Sequence, residues 1–112
     1  MVELYVENDL VVKKCELAFD FFTRFKGLMF RKKSNFVSGQ GMLFDNCSSI
    51  HMFFMRFPID VVYMDKHFNI LKIEKNLKIN HFSFGPKGTF YTLELPIGES
   101  EKFEVGKNVY IK

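Results

Sequence analysis

Tryptophan is absent from this chain, proline occurs three times, and cysteine only twice, at Cys15 and Cys47. Two cysteines can close one bridge at most, which excludes a small secreted scaffold held by a disulfide framework. No repeat, linker or low-complexity tract divides the chain, so residues 1–112 read as a single β-rich domain. A chain of this length buries roughly two-thirds of its unfolded surface, enough for a core without staples. No apolar run approaches the ~20 residues that span a bilayer. The opening MVELYVENDL carries acids and lacks the basic start and apolar block of a secretory leader. The expected setting is the cytoplasm, with both thiols reduced.

Charge of one sign is also scarce. Sixteen basic residues against 13 acidic leave a net charge of +3, far from the basic stripe of a nucleic-acid binder. What is abundant is phenylalanine, with 15 copies beside four tyrosines. Phenylalanine carries no polar handle, so it reads first as core filler and second as binding surface.

The hydrophobic pattern is mainly of period two. Val2, Leu4 and Val6 alternate with polar neighbours, and after the Asn8-Asp9 turn Leu10 to Phe19 resumes extended structure. Asp20 to Lys26 differs: Asp20 can cap, Phe21, Phe22 and Phe25 recur at helical spacing, and Gly27 can terminate. A basic, Ser- and Gly-rich loop leads to an apolar strand at Met42–Phe44. Ile59 to Asp65 reads as a central strand, followed by a turn at Asp65-Lys66-His67. Beyond the turn, Leu71, Ile73, Leu77 and Ile79 alternate with Lys72, Glu74, Lys78 and Asn80. Thr89 to Leu95 is another strand, with Tyr91, Leu93 and Leu95 inward and Glu94 outward, and Phe103 to Ile111 closes the chain. Many short strands with turns between them specify an all-β sandwich or barrel with one short helix near the N-terminus.

Four stretches, in this order, resemble the uncharacterised family catalogued as Domain of Unknown Function 192. They are RFKGLMFR (Arg24 to Arg31), GMLF (Gly41 to Phe44), the segment from His51 to Asp65, and LELPIG (Leu93 to Gly98). The resemblance implies a compact β-sandwich or jelly-roll-like barrel with a short helix, and no established activity.

The segment around His51 to Asp65 places His51, Arg56 and Asp60 in the most apolar part of the chain. An unpaired charge among such groups carries a large desolvation cost. The charges are therefore tied into an internal ion-pair network, the favoured reading, or they line a pocket open to solvent. Asp60 and Glu94 are the candidate partners of Arg56 and of Arg24 and Arg31, whose guanidinium forks suit a carboxylate or bound anion. Cys47, His51 and Met55 recur every four residues, which on a helix would resemble a soft-metal site. On a strand, at ~3.3 Å per residue, His51 and Met55 lie ~13 Å apart, so no metal and no cofactor is expected. Ser48, His51 and Asp60 supply triad residue types, but no nucleophile elbow or oxyanion loop accompanies them.

The leading functional expectation is a noncatalytic binding module with an Arg-bearing, Phe/Met-lined pocket or face. Its candidate residues are Arg24, Arg31, His51, Arg56, Asp60 and Glu94, and its ligand a small anion, a saccharide or a peptide segment. One alternative is a hydrolase using His51 with Asp60 or Asp65 as acid and base. The other is an assembly subunit that meets a protein partner through exposed aromatics.

Overall fold

Val2–Val6 (β1) and Asp9–Ala18 (β2) fold back on each other across a turn in which Glu7 adopts a positive φ of 56°. This computed structural model describes residues 1–112. Seven further strands follow: Gln40–Phe44 (β3), Ser49–His51 (β4), Ile59–Met64 (β5), Ile70–Leu77 (β6), Phe82–Phe84 (β7), Tyr91–Pro96 (β8) and Val109–Ile111 (β9). Seven of the strands form one sheet in the order β6-β5-β8-β3-β2-β1-β9, while β4 and β7 pair separately. The chain is 46% strand and 12% helix, which settles the fold class as mainly β.

The large sheet curls into a half-barrel whose edges meet at one end. Residues just before and at the start of β6 bond to residues just before and at the start of β9. Ile70 N donates to Lys107 O at 2.8 Å, Gly106 N to Ile70 O at 2.9 Å and Val109 N to Phe68 O at 2.9 Å. One core fills the concave side, built from Leu4, Val12, Cys15, Leu43, Val62, Met64, Leu93, Leu95 and Phe103. A second core lies on the other face, where Met42, Phe44, Val61 and Tyr63 pack against Leu28, Phe36, Met52, Met55 and Phe57 from the connections. Both faces of β5 are therefore covered, and all six of its residues are buried.

The only parallel pairing in the sheet joins β2 to β3, from Lys14↔Gln40 to Ala18↔Phe44. A parallel pair needs a crossover. Here it is the segment 19–39, which contains the helix α1 (Phe21–Lys26). Asp20 caps α1 by accepting the Thr23 amide at 2.8 Å, and Gly27, at φ 49° and ψ −129°, ends it. Both roles match the sequence expectation. The positive φ favours glycine here, and an added Cβ would also crowd the Phe44 ring at 3.2 Å, pressing it to give by a few tenths of an ångström.

Two expectations need correction. The extended reading of the His51-to-Asp65 segment breaks between β4 and β5, where Phe53 and Phe54 form a turn and Phe54 adopts φ 65°. The alternation assigned to 71–79 is interrupted by a bulge, with Val61 opposite Glu74 but Ile59 opposite Leu77. Consequently Ile73 packs on the first core and Leu77 joins the second, while Ile79 is exposed.

Candidate functional site

Glu94 is the residue around which the site is built. On β8 it lies between Met42 of β3 and Val61 of β5, on the face of the second core. It is 7% exposed, and its carboxyl makes no hydrogen bond. Every side-chain polar atom fully sealed from solvent has a partner, so the unpaired carboxyl keeps its contact with open space. That space is a cavity of about 180 Å³ which Glu94 lines. Burial pushes its pKa up to about 8, and the charge of Arg31 pulls it partly back.

The cavity lies between the crossover and the chain that follows β3. Leu28, Phe44 and Met55 are its buried apolar walls; Lys26, Asn46, Ser49 and His51 stand exposed at its rim. Phe25, 70% exposed, also borders the opening. All four stretches that carry the family resemblance supply lining residues: Arg24 to Met29 from the first, Phe44 from the second, His51 and Met55 from the third, and Glu94 from the last.

Arg24 lines this cavity, whereas Arg31 lies outside the lining, though its charge still acts on Glu94; both guanidiniums are already paired with acids. Arg24 Nη1 donates to Asp45 Oδ1 at 2.6 Å and to the Phe19 carbonyl at 2.9 Å. Arg31 forks onto Glu16 at 2.6 and 3.1 Å, with its guanidinium 5.9 Å from the centre of the Phe36 ring. Neither arginine pairs with Glu94 or Asp60, the partners the sequence favoured.

Cys47 borders the cavity too, its Sγ donating to the Ser49 carbonyl at 3.2 Å. Burial raises its pKa, against the lowering effect of a bond with Thr92, and the nearby Glu94 and Arg24 act in opposite directions. A thiol held up in this way is a poor nucleophile at neutral pH. No group of three potential metal ligands occurs.

Asp60 and Arg56 lie outside this cavity lining. Asp60 is buried beneath the 3₁₀ turn Glu99–Lys102, where one oxygen accepts from the Gly98 amide, the Ser100 amide and the Ser100 hydroxyl at 2.6–3.2 Å. The other oxygen accepts from the Asn76 amide at 2.9 Å, at the β6 bulge. Arg56 is exposed and forms no ion pair, so the internal network of charges is not formed. His51 is exposed, stacked on Phe53 at 5.3 Å, and its Nδ1 accepts the Phe53 amide at 3.3 Å. The His51 dyad is not formed either, because Asp60 is engaged as above and Asp65 holds its own turn through His67 and Asn69.

The sequence offered Glu94 both as an ion-pair partner and as a pocket residue, and it did not single out Asp45 or Glu16 as the acids that bind Arg24 and Arg31. Asp45, at the polar end of β3, carried a local signal as a strand terminator; Glu16 carried none beyond its strand phase.

A curled antiparallel-rich β half-barrel with a helix-bearing crossover over one face defines the structural class. The chain belongs to the uncharacterised family DUF192, described as an uncharacterised ACR, which matches residues 4–112. Among solved structures it is similar to a protein of unknown function from Novosphingobium aromaticivorans, at 21% identity and a TM-score of 0.82. That match covers 97% of this chain and 82% of the other. It is also similar to a protein from Sinorhizobium meliloti described as a candidate transcription regulator, at 23% identity and a TM-score of 0.80, covering 98% and 91% of the two chains. These likenesses establish the fold. No curated protein matches the chain.

Proposed function

We propose that this protein is a noncatalytic binding module whose ligand sits in the cavity over Glu94. One observation carries the reading: a buried carboxyl without a hydrogen-bond partner borders a cavity with apolar walls. Within the protein such a group has no partner, so a ligand that enters the cavity and bonds to it competes only with water. The cavity, at about 180 Å³, is smaller than the ~300–1,000 Å³ of pockets for drug-sized molecules, which favours a small group or a single side chain of a peptide. The pairing of Arg24 with Asp45 and of Arg31 with Glu16 removes the main argument for a small anion. The raised thiol of Cys47 and the lack of an acid partner for His51 support a noncatalytic role. Both cysteines are unbridged, in keeping with the cytoplasmic setting expected from the sequence.

The test is a fragment screen by thermal shift, followed by methyl spectra of methionine-labelled protein. Stabilising fragments should move the signals of Met29 and Met55, which line the cavity. Stabilisation without movement of either signal, or no stabilisation by any fragment, refutes the reading.

A second reading, assembly through aromatics, has its own observation. Helix α1 buries none of its residues, and Phe21, Phe22 and Phe25 are 69–81% exposed. Sedimentation of the wild type and of Phe22→Ser at rising concentration tests it: association by the wild type alone supports assembly, and a monomeric wild type dismisses self-assembly.

A further inference from the structure

We infer that the cavity over Glu94 takes an alkylammonium group, a primary amine on a short aliphatic stem, from either a free amine or a lysine side chain. This rests on the proposed binding role of the same cavity and names its ligand chemistry. Glu94 is the one lining residue that is both buried and polar; the other buried lining residues, Leu28, Phe44 and Met55, are apolar, while Arg24 and Cys47 are half-buried and the remaining polar side chains exposed. Such a surface matches a ligand with a single polar head on an apolar stem. The stem lies along the methionine, leucine and phenylalanine walls, as lysine stems do on apolar surface. An ammonium head donates to the carboxyl, and a phenylalanine face attracts the same positive charge.

The other ligand chemistries fit less well. A carboxylate could bond only to the protonated form of Glu94, and it would find no free guanidinium to balance its charge, because Arg24 and Arg31 already hold their own acids. A saccharide presents several hydroxyls, for which the buried walls supply no partners beyond Glu94. Lys26 adds a positive charge, but it is exposed at the rim, where water and salt screen it.

Proton linkage gives the inference a second signature. In the empty cavity the Glu94 carboxyl is held mainly protonated at neutral pH, with its pKa pushed up to about 8. An ammonium ion beside it favours the ionised form, so binding near pH 7 releases a proton to the buffer. No covalent step is involved.

The experiment titrates the full chain with n-butylammonium chloride, Nα-acetyl-lysine amide, N-butylacetamide and butyrate. The Met29 and Met55 methyl signals report binding, and calorimetry in two buffers of different ionisation enthalpy reports the proton. Saturable binding of an amine, binding of N-butylacetamide weaker by at least about tenfold, and a similar loss in Glu94→Gln are expected. Release of close to one proton by the wild type is the companion result, and needs no variant. Tighter binding of butylammonium assigns the site to free amines; tighter binding of the lysine derivative assigns it to polypeptide side chains. Equal binding of N-butylacetamide or butyrate, or unchanged amine affinity in Glu94→Gln, overturns the inference. If neither amine binds while a neutral or anionic fragment moves Met29 and Met55, the amine assignment fails and the binding role stands. If nothing moves them, both fail.

Discussion

Asp60 Oδ2 accepts the Ser100 hydroxyl at 2.6 Å, tying the start of β5 to the 3₁₀ turn that follows β8. The same carboxylate takes backbone amides from Gly98, Ser100 and Asn76, so it joins three separate parts of the chain. A single buried anion thereby satisfies donors that the bulge and the turn would otherwise strand.

Replacing Asp60 tests that role. Asp60→Asn turns an amide NH₂ toward one set of these donors and should cost at least about 2 kcal/mol in urea unfolding. A loss below about 0.5 kcal/mol would show that the turn and bulge hold without it.

Arg56 provides the contrast. It is exposed and unpaired, so Arg56→Ala should change stability by less than about 0.5 kcal/mol. A loss of several kcal/mol would reveal a buried acid that depends on it.

Glu94 governs a pH dependence opposite to that of an ordinary salt-bridged acid. Its folded pKa, about 8, lies above the unfolded value of about 4.3, so the folded protein binds the extra proton. The stability linked to that proton is complete below about pH 4.3, is lost as pH rises to about 8, and is flat beyond. Asp20, Asp65 and Glu99 have lowered values, and their contributions are lost at the acid end instead. Between pH 5 and 8 the wild type should lose on the order of 3 kcal/mol relative to Glu94→Gln. Parallel curves for the two proteins would show that Glu94 is ionised in the fold. Arg31→Ala should move the midpoint of this loss upward, since Arg31 is the charge that pulls it down.

How much of this was legible in the chain depends on how local each cause is. Asp20 and Gly27 marked the ends of α1 because capping involves residues three or four positions apart. The phase of β8 was legible too: Leu93 and Leu95 do face one core, and Glu94 faces the other way. What covers that second face was not legible, because it comes from the crossover and from the chain between β4 and β5. Arg56 and Asp60 were read as members of an internal ion-pair network or as lining of a pocket, on a segment taken as extended. The turn at Phe53-Phe54 needs a positive φ at a phenylalanine, which no residue preference announces. The partners of Asp60, Gly98 and Ser100, lie far along the sequence and carry no local signal.

Thiol labelling separates the two cysteines. Cys15 is fully buried, and burial pushes its pKa up to about 12; Cys47 is partly accessible. In native buffer Cys47 should label slowly and Cys15 not at all, while both label in denaturant without prior reduction. Labelling that requires a reductant would mean that the thiols are oxidised.

The crossover from β2 to β3 has a kinetic consequence. The segment that makes the parallel pairing possible also supplies Arg24 to Met29 to the cavity, and Glu94 arrives only with β8, between β3 and β5. The cavity thus needs non-local pairings that a partly assembled sheet does not have. An occupant should leave the refolding rate unchanged and slow unfolding in proportion to its saturation, because the transition state would have no seat to offer it.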